Sequence, residues 1–155
     1  MTPAILILKK ANIQFEIHKY DPDSTRNDYG TEAASKLNLD PNRVIKTLIV
    51  ELNSSECVIA MIPISEQLSM KKLSRITGAK HANMAPLTRV KSLTGYLPGA
   101  ISPLGQKRKL ACFLDPAIAS PDRVFISGGK RGIEIELTPR DLINLTEAHQ
   151  ADLLA

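Results

Sequence analysis

A lysine in the middle of an apolar strand is the first residue whose position suggests chemistry. Residues 43–50 (RVIKTLIV) are rich in β-branched side chains and follow a turn signal, Asp40-Pro41-Asn42, so we predict a strand there. Both of its faces are mostly apolar, which predicts cover on both sides. An unpaired ammonium is costly to bury, so Lys46 either extends to an edge of the sheet or lies on the floor of a polar cleft.

A glycine-rich turn, Ser127-Gly128-Gly129-Lys130-Arg131-Gly132, is the second candidate. Glycines allow close approach of the backbone and present consecutive N–H groups to an anion, and the two cations add charge. The turn lacks the Gly-Lys-Ser/Thr ending of a Walker A loop. The alternative is a hairpin tip with solvated charges. Residues 94–106 form a long irregular segment, which in a compact domain is usually functional or mobile.

Other reactive side chains do not form a recognisable constellation. The histidines are scattered and no Cys or His pair has zinc spacing, so we expect no metal and no cofactor. Cys57 and Cys112 lie in apolar stretches, as reduced core residues do. Glu134 and Glu136 alternate on a predicted strand and are expected on an exposed face.

The sequence thus offers lysines, small polar residues and backbone N–H groups, with no acid–base pair. This inventory suits a binding module, or an enzyme whose substrate brings its own nucleophile.

The elements that must position these residues are short and mixed. The chain has 155 residues, 43% of them apolar, with ten prolines and eight glycines, which predicts an α+β fold in a single domain over residues 1–155. The net charge of +4 favours an anionic partner without requiring nucleic acid. The N-terminus lacks a signal-peptide layout and no run is long enough to span a membrane, so we expect a cytoplasmic protein.

We predict these elements in chain order: a helix beginning at 2–3, strand 15–20, polar loop 21–30, helix 31–37, strands 43–50 and 57–62, helix 69–78, strand 79–84, helix 86–90, strands 111–114 and 123–126 around a helical turn at 116–119, strand 133–137 and helix 138–145.

Four motifs together resemble the YbaK/EbsC family, free-standing relatives of the editing domain inserted in bacterial prolyl-tRNA synthetase. They are Thr2-Pro3-Ala4, residues 40–43 (DPNR) with 46–48 (KTL), residues 95–97 (GYL) followed by 101–105 (ISPLG), and the turn at 127–132. The match runs nearly end to end and in order. The resemblance implies a mixed, β-barrel-like sheet surrounded by short helices. Within the family the chain looks most similar to the YbaK type, which hydrolyses Cys-tRNA(Pro).

The resemblance also implies roles for individual residues. The family's essential lysine falls on Lys46, which would engage the substrate near its 3′-terminal adenosine. The substrate-binding residues would be Tyr20, Tyr29, Thr47, Gly99, Ala100, Ile101, Ser127, Gly128 and Gly129. A basic patch of Lys107, Arg108, Lys109, Lys130 and Arg131 would hold acceptor-stem phosphates, although a solvated charge cluster is equally compatible with these residues.

The implied mechanism fits the absence of an acid–base pair. The thiol of the esterified cysteine would attack its own ester carbonyl, expelling the tRNA 3′ end and leaving a thiolactone. The protein would position the reacting groups and stabilise the oxyanion. Cys-tRNA(Cys) is a further substrate within this assignment. The alternatives are an Ala-tRNA(Pro) deacylase that uses water and a non-catalytic RNA- or nucleotide-binding module. The expected partners are aminoacyl-tRNA and prolyl-tRNA synthetase, in a ternary complex.

Overall fold

Short helices surround two β-sheets in the computed structural model, which describes all 155 residues. The helices are α1 (Pro3–Lys10), α2 (Tyr29–Lys36), α3 (Met70–Thr77), α4 (Leu87–Thr94), α5 (Pro116–Ala119) and α6 (Pro139–Thr146). The strands are β1 (Glu16–Lys19), β2 (Ile45–Leu52), β3 (Cys57–Pro63), β4 (Ala82–Met84), β5 (Cys112–Leu114), β6 (Val124–Ser127), β7 (Ile133–Leu137) and β8 (His149–Gln150). None of the helices has the length and apolar character needed to cross a membrane.

Local sequence signals account for most helix ends. Thr2, Ser69 and Thr138 each accept a backbone N–H bond at a helix start, and proline occupies the first turn of α1 and α6. Gly78 ends α3 in the left-handed conformation that glycine adopts without steric cost. These ends agree with the sequence prediction.

The five-stranded sheet has the order β4-β2-β3-β5-β8, and the three-stranded sheet has the order β1-β7-β6. β2 and β3 form the predicted antiparallel hairpin, in which Ile45 pairs with Pro63 and Glu51 with Cys57. One isolated parallel bridge, between Val44 and Phe125, joins the two sheets. The α+β class is confirmed; the sheets meet along this bridge and do not close into a barrel.

The central strand β2 is covered on both faces, as its sequence predicts. Ile45 and Ile49 belong to the main hydrophobic core of 19 buried residues, whereas Val50 belongs to a second core of eight. Burying apolar side chains on both faces stabilises the strand by about 1.5–3 kcal/mol for each large side chain. The strand is therefore a fixed frame for whatever its edge presents.

Several elements differ from the prediction. Helix α4 runs to Thr94, beyond the predicted 86–90, and β4 covers only Ala82–Met84 of the predicted 79–84. Helix α2 begins at Tyr29, two residues before the predicted start at Thr31. Gly30 in its first turn reads as a loop residue in sequence, but a Cβ there would lie 2.6 Å from Ile64 Cγ2, so close packing of α2 on Ile64 accounts for the glycine. The two-residue strand β8 was not predicted, because His149 and Gln150 carry no strand signal and pair only through β5.

Candidate functional site

A cavity of about 390 Å³ opens beside the first half of β2. Its walls come from β2, the start of α2, the loop before β5 and the β6–β7 hairpin. The lining residues are Asp28, Tyr29, Gly30, Thr31, Ile45, Lys46, Thr47, Leu48, Ile64, Pro98, Gly99, Ile101, Ser127 and Glu134. Residues that are distant in sequence therefore meet at one strand.

The cavity lies in a gap in the hydrogen-bonded ladder of β2. β4 pairs with β2 only from Val50 to Leu52, and the backbone pairing with β6 is limited to the bridge between Val44, just before β2, and Phe125. Between these contacts the edge from Ile45 to Leu48 has no strand partner on that side. Because the cavity follows an edge rather than a face, neighbouring residues that point in opposite directions line it together.

The alternation of the ladder also fixes which backbone groups face the gap. Leu52 donates its N–H to Glu56 O, and Ile64 donates its N–H to Val44 O, so even-numbered residues of β2 bond to β3. The N–H and C=O groups of Thr47 then point to the opposite edge, where the cavity lies, whereas the N–H of Ile45 faces Phe125 at the bridge to β6. The site has main-chain donors as well as side chains.

Lys46 is a half-buried cation without a carboxylate partner. It lines the cavity and forms none of the ion pairs in the structure. Burial lowers the pKa of its ammonium group. Of the two positions that the sequence allows, the structure therefore places this side chain in a cleft that also holds polar groups.

Two other polar side chains that line the cavity have unused hydrogen-bonding capacity. Thr47 Oγ1 and Glu134 Oε2 are buried and have no hydrogen-bond partner. Glu134 is only 7% exposed, and burial raises the pKa of its carboxyl to about 8. At neutral pH this side chain is mainly a carboxylic acid, which can donate a proton in a hydrogen bond but is a weak general base.

The expectation that Glu134 and Glu136 lie on an exposed strand face is wrong. Their shared face of β7 is covered: Glu134 reaches the cavity, and Glu136 contacts His18 at 2.8 Å and Arg123 at 3.2 Å. Burial opposes ionisation of Glu136, but hydrogen bonds and charge from His18 and Arg123 outweigh it and lower its pKa. Neighbouring carboxylates thus have opposite shifts because only one of them has cationic partners.

Tyr29 forms one wall and is held by long-range contacts. The guanidinium of Arg131 lies 4.9 Å from the centre of its ring, and Gly99 packs against the ring so closely that a Cβ would lie 2.7 Å from Tyr29 Cδ1. Arg131 also bonds the fully buried carboxylate of Glu32 at 2.8 Å. Hydrogen bonding from the Asp23 N–H and contacts with Lys36 and Arg131 lower the pKa of Glu32.

The glycine-rich turn uses its own donors internally. Gly128 donates its N–H to Ile133 O at 2.8 Å, and Gly129 donates its N–H to Ser127 Oγ at 3.2 Å. Gly128 O accepts a bond from Thr2 Oγ1 at 2.5 Å, so this turn is tied to the start of α1. In this conformation the first two glycines of the turn do not present free N–H groups to an anion.

The structure brings together part of the predicted substrate-binding set. Lys46, Tyr29, Thr47, Gly99, Ile101 and Ser127 line the cavity. Tyr20, Ala100, Gly128 and Gly129 do not line it. Ala100 is buried between two lining residues, and Tyr20 pairs with the turn through its N–H bond to Gly132 O. The roles of all these residues remain predictions.

The predicted basic patch contains two residues that are already paired. Arg131 bonds Glu32 and Lys109 bonds Glu147 at 2.5 Å, whereas Lys107, Arg108 and Lys130 are exposed and form no ion pair. An exposed surface pair contributes little stability, so Lys109 can exchange its partner, but Arg131 packs on Tyr29, which lines the cavity. A contact between Arg131 and RNA phosphate would compete with its bond to Glu32.

Glu134 is the main residue of the cavity that the sequence prediction missed. Its signal was weak: a glutamate that alternates with apolar residues is the usual pattern of a solvated strand face. A second unpredicted group lies outside the cavity, where ligand atoms of Glu16, His18 and Glu136 come within 4.8 Å of one another. The Arg123–Glu136 pair already supplies cationic charge there.

Comparison with known proteins places the chain in a family. The aminoacyl-tRNA editing domain model matches residues 27–145, most of the chain. The chain therefore belongs to the aminoacyl-tRNA editing domain family, and its activity class is aminoacyl-tRNA deacylation.

Individual relatives agree with this class. The chain is 33% identical over 120 residues to "Putative Cys-tRNA(Pro)/Cys-tRNA(Cys) deacylase EbsC" of Enterococcus faecalis, with 77% of this chain and 73% of that protein covered. It is 28% identical over 131 residues to a proline–tRNA ligase of Syntrophotalea carbinolica, of which it covers 22%. A crystal structure of "a putative trans-editing enzyme for prolyl tRNA synthetase" superposes with a TM-score of 0.82 at 23% identity, covering 100% of this chain and 99% of that one.

Glu134→Gln should change how stability depends on pH. The carboxyl pKa rises from 4.5 to about 8 on folding, so the native state keeps a proton that the unfolded chain releases. The contribution of Glu134 to the stability of the wild type therefore falls as pH rises across that interval. The glutamine variant lacks this slope, and its stability relative to wild type should increase by a few kcal/mol between about pH 4.5 and 8. Denaturant unfolding at several pH values measures the difference.

Glu136→Gln is the matched control, because this carboxylate has a lowered pKa. It should be destabilising at neutral pH, with the deficit shrinking as the solution is made acid. Parallel stability curves for wild type and Glu134→Gln would contradict the buried neutral carboxyl.

Gly99→Ala should damage the cavity itself. The residue has φ of +82° and a Cβ would meet the Tyr29 ring at 2.7 Å, so the ring must move. Gly78→Ala is matched for backbone strain, with φ of +76° and nothing within 4 Å. Gly78→Ala should lose about 1 kcal/mol of stability through backbone strain, and Gly99→Ala should lose at least as much. Only Gly99→Ala should lower the deacylation rate at temperatures where both are folded; equal rates would show that the Tyr29 wall does not matter.

Proposed function

We propose that this protein hydrolyses Cys-tRNA(Pro) in trans, with Cys-tRNA(Cys) as a further substrate, by a reaction in which the esterified cysteine supplies the nucleophile. The observation that carries the proposal is the chemistry of the cavity. It contains an unpaired lysine and a neutral carboxylic acid, and no histidine or cysteine lines it. The relative from Enterococcus faecalis carries both substrates in its name.

The protein's own cysteines do not supply a nucleophile. Both are buried in the main core, outside the cavity. Burial raises the pKa of Cys57 and raises that of Cys112 to about 11, so neither thiol ionises readily. The hydroxyls of Thr47 and Ser127 line the cavity but no histidine lies beside them to remove a proton.

Hydrolysis by an activated water would require a general base. Glu134 is the only cavity carboxyl with a raised pKa, and it is mainly protonated at neutral pH. Asp28 lines the cavity as well, but its carboxylate is bound to Arg26 at 2.6 and 2.8 Å. A substrate that contains its own thiol does not need such a base in the protein.

The proposed step balances within the substrate. The cysteine sulfur bonds to the carbonyl carbon of its own ester, and the bond from that carbon to the ribose oxygen breaks. The ribose oxygen takes up the thiol proton, which leaves tRNA with a free 3′ end and a four-membered thiolactone. Addition of water to the thiolactone then gives free cysteine, so the overall reaction is hydrolysis of the ester.

The cavity residues have distinct parts in this proposal. Lys46 holds the 3′-terminal adenosine and orients the ester. The Thr47 N–H and the acid proton of Glu134 are donors placed to stabilise negative charge on the carbonyl oxygen. Tyr29 and Gly99 limit the space for the amino-acid side chain. Correct positioning of thiol and carbonyl supplies the remaining acceleration.

Selection of the correct tRNA requires a partner in this proposal. Nothing in the cavity reads a tRNA sequence, and contacts to phosphates carry no sequence information. We therefore propose that prolyl-tRNA synthetase hands over the mischarged tRNA in a ternary complex. The similarity of this chain to segments of two proline–tRNA ligases supports this partner.

Lys46→Ala tests the site. Loss of the ammonium should slow deacylation of Cys-tRNA(Pro) at least about 100-fold, which is about 3 kcal/mol of barrier. Lys46→Arg keeps the charge and should recover part of the rate. Lys91→Ala removes an exposed lysine elsewhere and should behave as wild type. Near wild-type turnover by Lys46→Ala would remove the assignment of this cavity as the site.

Substrate comparison tests the mechanism. Cys-tRNA(Pro) should be cleaved at least about 100-fold faster than Ala-tRNA(Pro) or Ser-tRNA(Pro), because only the thiol can attack the ester effectively. Trapping the thiolactone with an added amine identifies the product. Preference for alanine would replace the thiol mechanism with a water-using deacylase. Binding without turnover of any ester would indicate a non-catalytic RNA-binding module.

A further inference from the structure

A second concave surface lies away from the cavity, between α3 and the turn that leads into β4. It has a volume of about 480 Å³, and no acidic residue lines it. Four of its eight lining residues carry basic side chains: Lys71, Arg75, Lys80 and His81. We refer to these four residues and the depression between them as the α3–β4 groove.

The basic residues of the α3–β4 groove have no acidic partners. Lys71, Arg75, Lys80 and His81 are exposed and form no ion pair. The neighbouring Lys72, which is not part of the groove, is paired with Asp152 at 3.0 Å. Helix α3 thus carries one lysine that is paired with a carboxylate, Lys72, and two basic residues of the groove that are not, Lys71 and Arg75.

This arrangement is costly for an isolated helix. Lys71 and Arg75 are four residues apart on α3, and like charges at that spacing destabilise a helix by a few tenths of a kcal/mol, so the sequence does not place them there for helix stability. Lys80 and His81 converge on the same depression from the following turn. A polyanion is the ligand that relieves repulsion among several such charges at once.

Strand β2 connects the α3–β4 groove to the cavity. Its Leu52 pairs with Ala82, which lines the groove, and its Lys46 lines the cavity. Six residues of extended strand separate these two positions, a distance of about 20 Å. A nucleic acid with its terminus in the cavity can therefore present backbone phosphates to the groove along the exposed edge strand β4.

We propose that the α3–β4 groove binds the phosphate backbone of the tRNA whose charged 3′ end occupies the cavity. The inference rests on the proposed function, because it takes its ligand from there. It adds a surface to the patch predicted from sequence, in which Lys109 and Arg131 are already committed to carboxylates. Contacts of this kind are electrostatic and independent of base sequence.

The test is the triple variant Lys71→Gln, Arg75→Gln, Lys80→Gln, which keeps the length of each side chain near that of the original and removes three charges. Binding of uncharged tRNA is measured across a series of salt concentrations, together with kcat and KM for deacylation. We expect KM to rise about tenfold or more with kcat unchanged, and the slope of log K against log salt to become shallower by about two.

Two controls distinguish the effect of the groove residues from the effect of the protein's net charge. The variant Lys9→Gln, Lys10→Gln, Lys91→Gln removes the same charge at exposed positions elsewhere and should leave the slope within experimental error. A cysteinyl ester of adenosine alone lacks the tRNA phosphates, so wild type and the groove variant should cleave it equally.

The outcomes distinguish the two proposals. Deacylation by wild type with an unchanged salt slope and KM in the groove variant overturns the groove and leaves the proposed function standing. If the salt slope changes equally in the control variant, tRNA binding responds only to net charge, and the groove proposal is overturned as well. Failure of wild type to cleave any cysteinyl ester removes the proposed function, while a reduced slope for uncharged tRNA would still support the groove as an RNA surface.

Discussion

The site depends on a strand whose hydrogen-bonded edge is interrupted. β2 is fixed by its full ladder with β3 and by apolar cores on both faces, yet from Ile45 to Leu48 its other edge has no strand partner. An unsatisfied strand edge is normally a liability that proteins cover or charge. Here the gap is lined by three other parts of the chain: α2, the Pro98–Ile101 segment and the β6–β7 hairpin. The opening is therefore a product of topology and needs no local distortion of β2.

Electrostatics within the cavity follow from the same enclosure. Desolvation disfavours charge of either sign, which lowers the pKa of Lys46 and raises that of Glu134. These two residues line one cavity without forming an ion pair. In an ion pair each group would stabilise the charged form of the other, and neither would be free to bind a ligand. Their separation leaves both groups available to a polar substrate.

Much of the frame was predictable from the sequence because it depends on local signals. Caps such as Thr2 and Thr138, the terminating Gly78 and the β-branched run around Lys46 place most elements near their observed positions. The α+β class follows from those elements. Lys46 is a candidate by its position in the sequence alone, because a charge inside an apolar strand is a local conflict.

The remainder of the site was not predictable because it arises from contacts that are distant in sequence. Glu134 resembles a solvated strand residue until the elements around the cavity cover it. Gly30 resembles a loop residue until Ile64 is seen against it. Arg131 is predicted to contact phosphate, and its bond to a buried carboxylate over ninety residues away in sequence could not be foreseen. Each case requires knowledge of what packs against the residue.

The fully buried carboxylate of Glu32 has a wider consequence for how the cavity accepts a ligand. It accepts bonds from the Asp23 N–H, Lys36 and Arg131, so it ties α2 to the preceding loop and to the glycine-rich turn. Arg131 in turn holds the ring of Tyr29. Segments that would otherwise have fluctuated separately are thereby ordered when the chain folds rather than when a ligand binds. These segments then lose little conformational entropy when a ligand binds. More of the free energy of the protein–ligand contacts therefore contributes to affinity.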